Sequence, residues 1–172
     1  MQPWKLRRAE PTDAPALASC VDAAYRHYIP RIGKPPGPIL ADYAEEIIRH
    51  QVWVAESEQQ IIGGLVLIAE EDALLLDNIA VHPDYQGCGA GRALLELAND
   101  EALSQGYGEL RLYTHETMTE NIALYTRSGW VETHRGHQDG YARVFMRKRL
   151  PSPDGIEHQL AVIFDENSKV SG

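Results

Sequence analysis

The 172-residue chain has only two cysteines, Cys20 and Cys88. Two cannot build a disulfide framework, and neither has a neighbour at metal-ligand spacing, so the sequence predicts no metal site and a reducing, cytoplasmic setting. Basic charge is also scarce: 16 Lys+Arg stand against 25 Asp+Glu, a formal net charge of −9. Nucleic acid and anionic membrane both need a basic field, so neither is an expected partner, and a cationic substrate or partner is favoured instead. No apolar run approaches membrane-spanning length. The charged start Trp4-Lys5-Leu6-Arg7-Arg8 is not followed by an apolar core, so no export segment is expected. Internal repeats and low-complexity tracts are missing too. At roughly 150 residues per domain, what remains is one domain over residues 1–150 and a tail over 151–172.

The elements follow from pattern. Trp4 to Ala9 reads as a first strand, and Pro11-Thr12-Asp13 opens a helix that runs to about Tyr28. Arg31 to Pro38 is the densest Pro/Gly segment and reads as a loop, either a plain connector or the wall of a binding site. Tyr43, Ile47 and Ile48 mark a second amphipathic helix. Gln51–Ser57, Ile61–Ala69 and Ala73–Val81 form a three-strand meander. The third of these is apolar on both faces, as a central strand covered by helices is, and Asp77 and Asn78 are anomalies within it. A helix from about Gly91 to Gln105 carries a stripe of Leu94, Leu95, Ala98 and Ala102. Leu110, Leu112 and Thr114 alternate with Arg111, Tyr113 and His115 in the next strand. Thr117 and Glu120 have capping-box spacing, which starts a helix there that ends at Gly129. Trp130–His134 and Tyr141–Leu150 close the order around a turn at Asp139-Gly140. The pattern β-α-α-β-β-β-α-β-α-β-β predicts an α/β fold built on one mixed sheet. In the tail, Leu160 to Phe164 has strand character and is a candidate for an edge strand or for exchange with a second copy.

The sharpest feature joins the central strand to the long helix: Ile79-Ala80-Val81-His82-Pro83-Asp84-Tyr85-Gln86-Gly87-Cys88-Gly89-Ala90-Gly91-Arg92. Glycines allow a tight turn and close approach, and the helix start offers unpaired N–H groups at a positive dipole end, which together suit phosphate. A glycine-rich turn that binds nothing has the same composition. The segment lacks the Gly-Lys-Ser/Thr of a Walker A loop and the third glycine spacing of a dinucleotide fingerprint.

These residues resemble the GNAT superfamily of acyl-CoA-dependent N-acetyltransferases. Gln86-x-x-Gly89-x-Gly91 is similar to the pyrophosphate-binding motif of that family. Asn121-Ile-Ala-Leu-Tyr125-Thr-Arg-Ser-Gly129-Trp130 is similar to its second motif. The resemblance covers about Leu6 to Leu150. It implies a single GNAT-like α/β domain: a mixed, mostly antiparallel sheet with a central β-bulge or splay and helices on both faces. It also implies acetyl-CoA as acyl donor, an amine acceptor, no metal, direct attack in a ternary complex, and often a homodimer.

The resemblance further implies that the backbone of Ile79, Ala80 and Val81 pairs with the pantetheine arm and that the Val81 amide polarises the thioester. Gln86 opens the loop, and the amides of Gly87, Cys88, Gly89, Ala90, Gly91 and Arg92 hold the pyrophosphate. Asn121 either bonds the cofactor or faces water near its helix start. Tyr125 is the expected general acid for the departing thiolate, although a tyrosine on an amphipathic helix is otherwise a packing residue. Many members have asparagine where this chain has Met118 and alanine where it has Asn121. As general base, Asp77 is the first candidate, placed by alternation on the face of Ile79 and Val81; it competes with an ion pair or with recognition of the substrate amine. His115 is the second candidate, with a structural histidine as its alternative. Cys88 reads as small-residue filler and not as a nucleophile, which would need a base within reach. A small amine is the preferred acceptor; a protein N-terminus or lysine is the second enzyme reading. A noncatalytic acyl-CoA-binding module is the rival from another class.

Overall fold

A computed structural model describes residues 3–151. The strands are β1 (Lys5–Arg8), β2 (Gln51–Ser57), β3 (Gln60–Ala69), β4 (Leu74–Val81), β5 (Glu109–His115), β6 (Val131–Gln138) and β7 (Tyr141–Arg149). The main helices are α1 (Ala14–Tyr25), α2 (Tyr43–Arg49), α3 (Ala90–Ser104) and α4 (Thr119–Arg127). All seven strands form one sheet in the order β1-β2-β3-β4-β5-β7-β6. Every neighbouring pair is antiparallel except β4 and β5, which the α3 crossover makes parallel.

The sheet is covered on both faces. Leu94, Leu95, Ala98 and Ala102 of α3 bury the stripe read from the sequence against Leu65, Leu67, Leu74 and Leu76. On the opposite face Leu17 and Val21 of α1 and Tyr43 of α2 pack on Val52, Val54 and Val66. Alternating inward side chains of the central strands thus serve two cores at once, which is why these strands read as nearly continuous apolar runs.

Two irregularities in β4 open the sheet. Its pairing to β5 stops after Leu76↔Leu112, although β4 runs on to Val81 and β5 to His115. Its register to β3 also slips, from Val66↔Asn78 to Leu67↔Leu76, leaving Asp77 as an extra residue. A bulge reverses the alternation of side chains beyond it. Leu74 and Leu76 therefore pack in the α3-side cluster together with Ile79 and Val81, while Ala80 belongs to the α1 side. This corrects the placement of Asp77 by simple alternation. Asp77 and Asn78 instead bond Tyr113 and Tyr43, the latter packed in the α1-side cluster.

Other expectations shift in detail. The first long helix ends at Tyr25 and continues as a 3-10 turn over Arg26–Tyr28 and a helical turn over Ile29–Ile32, stopped by Gly33 at φ 87°. The Pro/Gly segment contains a further turn, Gly37–Leu40. The capping box at Thr117 does not form: α4 starts at Thr119 without a side-chain cap, because Thr117 is spent on His115 and Glu120 on Arg31. Gly129 does terminate the helix, two residues past its end at φ 92°. The Leu160–Phe164 run, and with it any strand exchange, lies outside the described residues.

Candidate active site

The backbone of β4 supplies one wall of the opening. His82 N–H donates to Ile62 O at 2.8 Å, which makes that rung a hydrogen-bonded one. Such rungs alternate in an antiparallel ladder, so Ala80, opposite Gly64, and Asn78, opposite Val66, spend their backbone groups on β3. Ile79 and Val81 turn theirs away from β3, where β5 has departed. Side chains meet those groups: the Tyr25 hydroxyl donates to Ile79 O at 2.7 Å and Gln86 Nε2 reaches Val81 O at 3.4 Å.

Beyond Val81 the chain makes a 3-10 turn over Pro83–Tyr85, capped by His82 Nδ1 accepting from Asp84 N–H at 3.1 Å. Gly87 and Gly89 follow at φ 83° and 90°, in the left-handed region that strains any side chain. Trp4, buried beside Ala55, Ile62 and Ala90, holds this loop by donating from Nε1 to Cys88 O at 3.3 Å. The first-turn amides of α3 have no intrahelical acceptor and face the end of the loop. Together these elements bound a groove of about 630 Å³. Ile79, Ala80, Val81, Gln86, Gly87, Gly89, Gly91, Arg92, Asn121 and Tyr125 line it; Cys88 is exposed outside it and Ala90 is buried in packing. Arg92 and Arg127 line it as cations, and Arg92 is paired with Glu96 at 3.2 Å.

A second cavity, about 240 Å³, lies against the α1 and α2 side of the split and shares Ile79 and Tyr125 with the groove. Asp77 and His115 line it, joined by Glu46, Tyr113 and Arg143 from α2, β5 and β7. The segment 31–41 closes it. Tyr141 donates to Pro35 O at 2.6 Å, Lys34 to Gly140 O at 2.8 Å, and Arg31 to Glu120 at 2.8 Å, so this Pro/Gly strap is tied to the β6–β7 hairpin and to α4.

The electrostatics of the second cavity separate its titratable groups. Asp77 accepts from the Tyr113 hydroxyl at 2.8 Å. Burial, and then the like charge of Asp77, push the Glu46 carboxyl above the usual carboxylate range. Burial also pushes the His115 imidazole below its usual value. His115 Nδ1 accepts from Thr117 N–H at 3.2 Å, which leaves the ring proton on Nε2. Tyr125, packed on Trp130 with ring centroids 6.0 Å apart, is buried at the junction of the two cavities. That burial pushes its phenol well above the ordinary value, so the hydroxyl keeps its proton.

The family model of the acetyltransferase (GNAT) domain matches residues 49–132, which hold β2 to β5, the glycine loop and α4. The chain carries a GNAT acetyltransferase domain over these residues. A mycothiol acetyltransferase from Jonesia denitrificans is 36% identical over 88 residues, 50% of this chain and 28% of that protein. A ribosomal-protein alanine N-acetyltransferase from Escherichia coli is 38% identical over 86 residues, 50% of this chain and 51% of that protein. The matches thus span about half or less of these relatives. Among solved structures, the Escherichia coli ribosomal-protein alanine N-acetyltransferase has a TM-score of 0.68 at 26% identity, covering 85% of this chain and 93% of that one. The PaiA N-acetyltransferase of Thermoplasma acidophilum in complex with coenzyme A has a TM-score of 0.72 at 20% identity, covering 86% and 99%.

Within the GNAT frame, the two motifs read from the sequence sit on either side of one groove. The second cavity is where the sequence pattern fell short. Glu46, Tyr113 and Arg143 come from three elements far apart in the chain, and the polar face of β5, Arg111, Tyr113 and His115, was the signal that pointed toward one of them.

Proposed function

We propose that this chain transfers the acetyl group of acetyl-CoA to the primary amine of a small molecule by direct attack in a ternary complex. The observation that carries the reading is the meeting of two cavities at Ile79 and Tyr125: an amide-rich groove on one side and a smaller acidic pocket on the other. The groove fits the donor, with α3 amides toward the pyrophosphate, the free edge at Ile79 and Val81 toward the pantetheine, and Asn121 beside it. The amine nitrogen attacks the thioester carbon, the C–N bond forms and the C–S bond breaks. The Val81 amide stabilises the carbonyl oxygen and Tyr125 protonates the leaving thiolate. Asp77 and Glu46 take the proton of the incoming ammonium; the raised value of Glu46 makes it the better acceptor of the two. His115 is poorly placed for that role, because the only nitrogen able to accept a proton is already engaged by Thr117.

A protein N-terminus is the second reading, favoured by the Escherichia coli relative that acetylates a ribosomal protein. The tied strap argues for a small acceptor: the pocket is below the roughly 300–1,000 Å³ of drug-sized ligand sites. Calorimetric titration with acetyl-CoA, joined to a thiol-release assay over small amines and an N-terminal peptide, tests this. Release with small amines supports the proposal and release with the peptide alone selects the second reading. Binding without any release points to a noncatalytic module, and no binding rejects all three.

A further inference from the structure

We propose that the acceptor is an amine that also carries an oxyanion, a free amino acid being the simplest case, and that Arg143 binds the anionic end. This rests on the acetyl-transfer reading above. Arg143 stands opposite His115 in the β5–β7 register, with its guanidinium carbon 4.2 Å from the Tyr113 ring centroid and 5.2 Å from that of Tyr141. The two rings hold the planar fork in place at the cavity wall. Arg7, Arg111 and Arg135 each meet a carboxylate, whereas Arg143 meets none among the described residues, and its buried Nε has no acceptor. In a chain with nine more acids than bases, an arginine left without an acid inside a cavity asks for an anion from outside.

The opposite wall has the reverse need. The single Tyr43 proton goes to Pro38 O at 2.7 Å, so Tyr43 accepts from Asn78 Nδ2, also at 2.7 Å. That assignment leaves Asn78 Oδ1 as a free acceptor on a side chain only 6% exposed. Glu46 Oε2 is likewise buried without a hydrogen bond, with His50 Nε2 3.8 Å away. An ammonium group fits beside Asp77, Glu46 and Asn78. A diamine satisfies that wall and sets a second cation against Arg143; an amine with a neutral tail leaves Arg143 unpaired. A zwitterion satisfies both walls, and 240 Å³ is about eight times the ~30 Å³ that a water occupies, the scale of a free amino acid. His115, held neutral, and Lys34, bonded to Gly140 O, leave Arg143 as the cation available to the ligand.

The test compares, by thiol release at saturating acetyl-CoA, kcat/KM for an amino acid, its carboxamide, the decarboxylated amine and a diamine. The wild-type protein, Arg143→Gln and Arg143→Lys are assayed side by side. The expected result is a preference of at least tenfold for the acid over the carboxamide in the wild type, on the order of what a built polar contact enforces. That ratio collapses toward one in R143Q and is partly kept in R143K, which restores charge without the fork. Because both substrates are read on the same variant, loss of folded protein cancels from the ratio. An unchanged ratio in R143Q, or a wild-type protein that prefers the carboxamide, the decarboxylated amine or the diamine, overturns the proposal. If no amine releases thiol, the transfer reading fails. Direct titration of the same panel into CoA-loaded protein then decides the anion site: carboxylate-dependent binding lost in R143Q supports it, and its absence overturns it.

Discussion

The hydroxyl of Tyr25 on α1 donates to the carbonyl of Ile79 at 2.7 Å, on the stretch of β4 that β5 has left. A carbonyl at an unpaired edge would otherwise lack a protein partner, and Tyr25, itself buried, fixes the strand without closing the opening. Helix packing and the shape of the groove are thereby joined in one bond.

Replacing Tyr25 with Phe keeps the ring and removes that bond. The expected cost is about 1–3 kcal/mol of unfolding free energy, the usual penalty for leaving a buried polar group unmet. Acetyl-CoA affinity should fall several-fold as the edge loosens. Denaturant unfolding and calorimetric titration of Y25F measure the two effects.

Tyr125→Phe should lower kcat by roughly 100-fold, within the range for loss of a general acid, while acetyl-CoA affinity stays within about twofold. Steady-state kinetics and titration check this together. A Y125F protein with unchanged kcat removes Tyr125 as the proton donor.

Two carboxyl groups give opposite pH dependences of stability. Arg7, bonded to Asp13 at 2.7 and 2.9 Å, holds the Asp13 carboxyl below its ordinary 3.8. A folded-state value below the unfolded one stabilises the fold above pH 3.8 and loses that contribution as pH falls through the lowered value. Asp13→Asn should therefore be less stable than the wild type near neutrality and converge with it in strong acid. Glu46, raised above 4.5 by burial and by Asp77, works the other way: its contribution is full below 4.5 and is lost as pH rises through the raised value. Glu46→Gln should gain stability relative to the wild type at neutral pH. Thermal unfolding across a pH series reads both signs.

Gly63 in β3 has no room for a side chain, since a Cβ there would lie 2.9 Å from the backbone carbonyl of Ala80. Backbone cannot yield as a flexible side chain can, so Gly63→Ala should cost about 1–3 kcal/mol. It should also displace β4 beside the opening and weaken acetyl-CoA binding more than a surface substitution of equal instability would. Unfolding and titration of G63A against such a control test the coupling.

Much of the fold was legible because it rests on local pattern. The strands at 51–57, 60–69 and 74–81 and the stripe of α3 fall where apolar periodicity puts them. The glycine loop was equally plain, since Gly87 and Gly89 adopt the positive φ for which glycine is used. The capping box at Thr117 misled because the local pattern was complete but its hydroxyl was claimed by His115. No spacing in the sequence announces such a competition.

By itself the sequence determined the family resemblance, the element order and the glycine loop, all of which are carried by short-range motifs and by backbone chemistry. Only the tertiary structure decided the second cavity. The bulge at Asp77 is a property of register between β3 and β4, and the one-residue slip there turns Asp77 and Asn78 toward Tyr113 and Tyr43 together, where alternation puts the two on opposite faces. Glu46, Tyr113 and Arg143 meet there because three distant elements converge, and the charge that matters is local. A chain of net charge −9 still places on its second cavity an arginine that meets no carboxylate among the described residues, because a charge sum has no geometry and a cavity does.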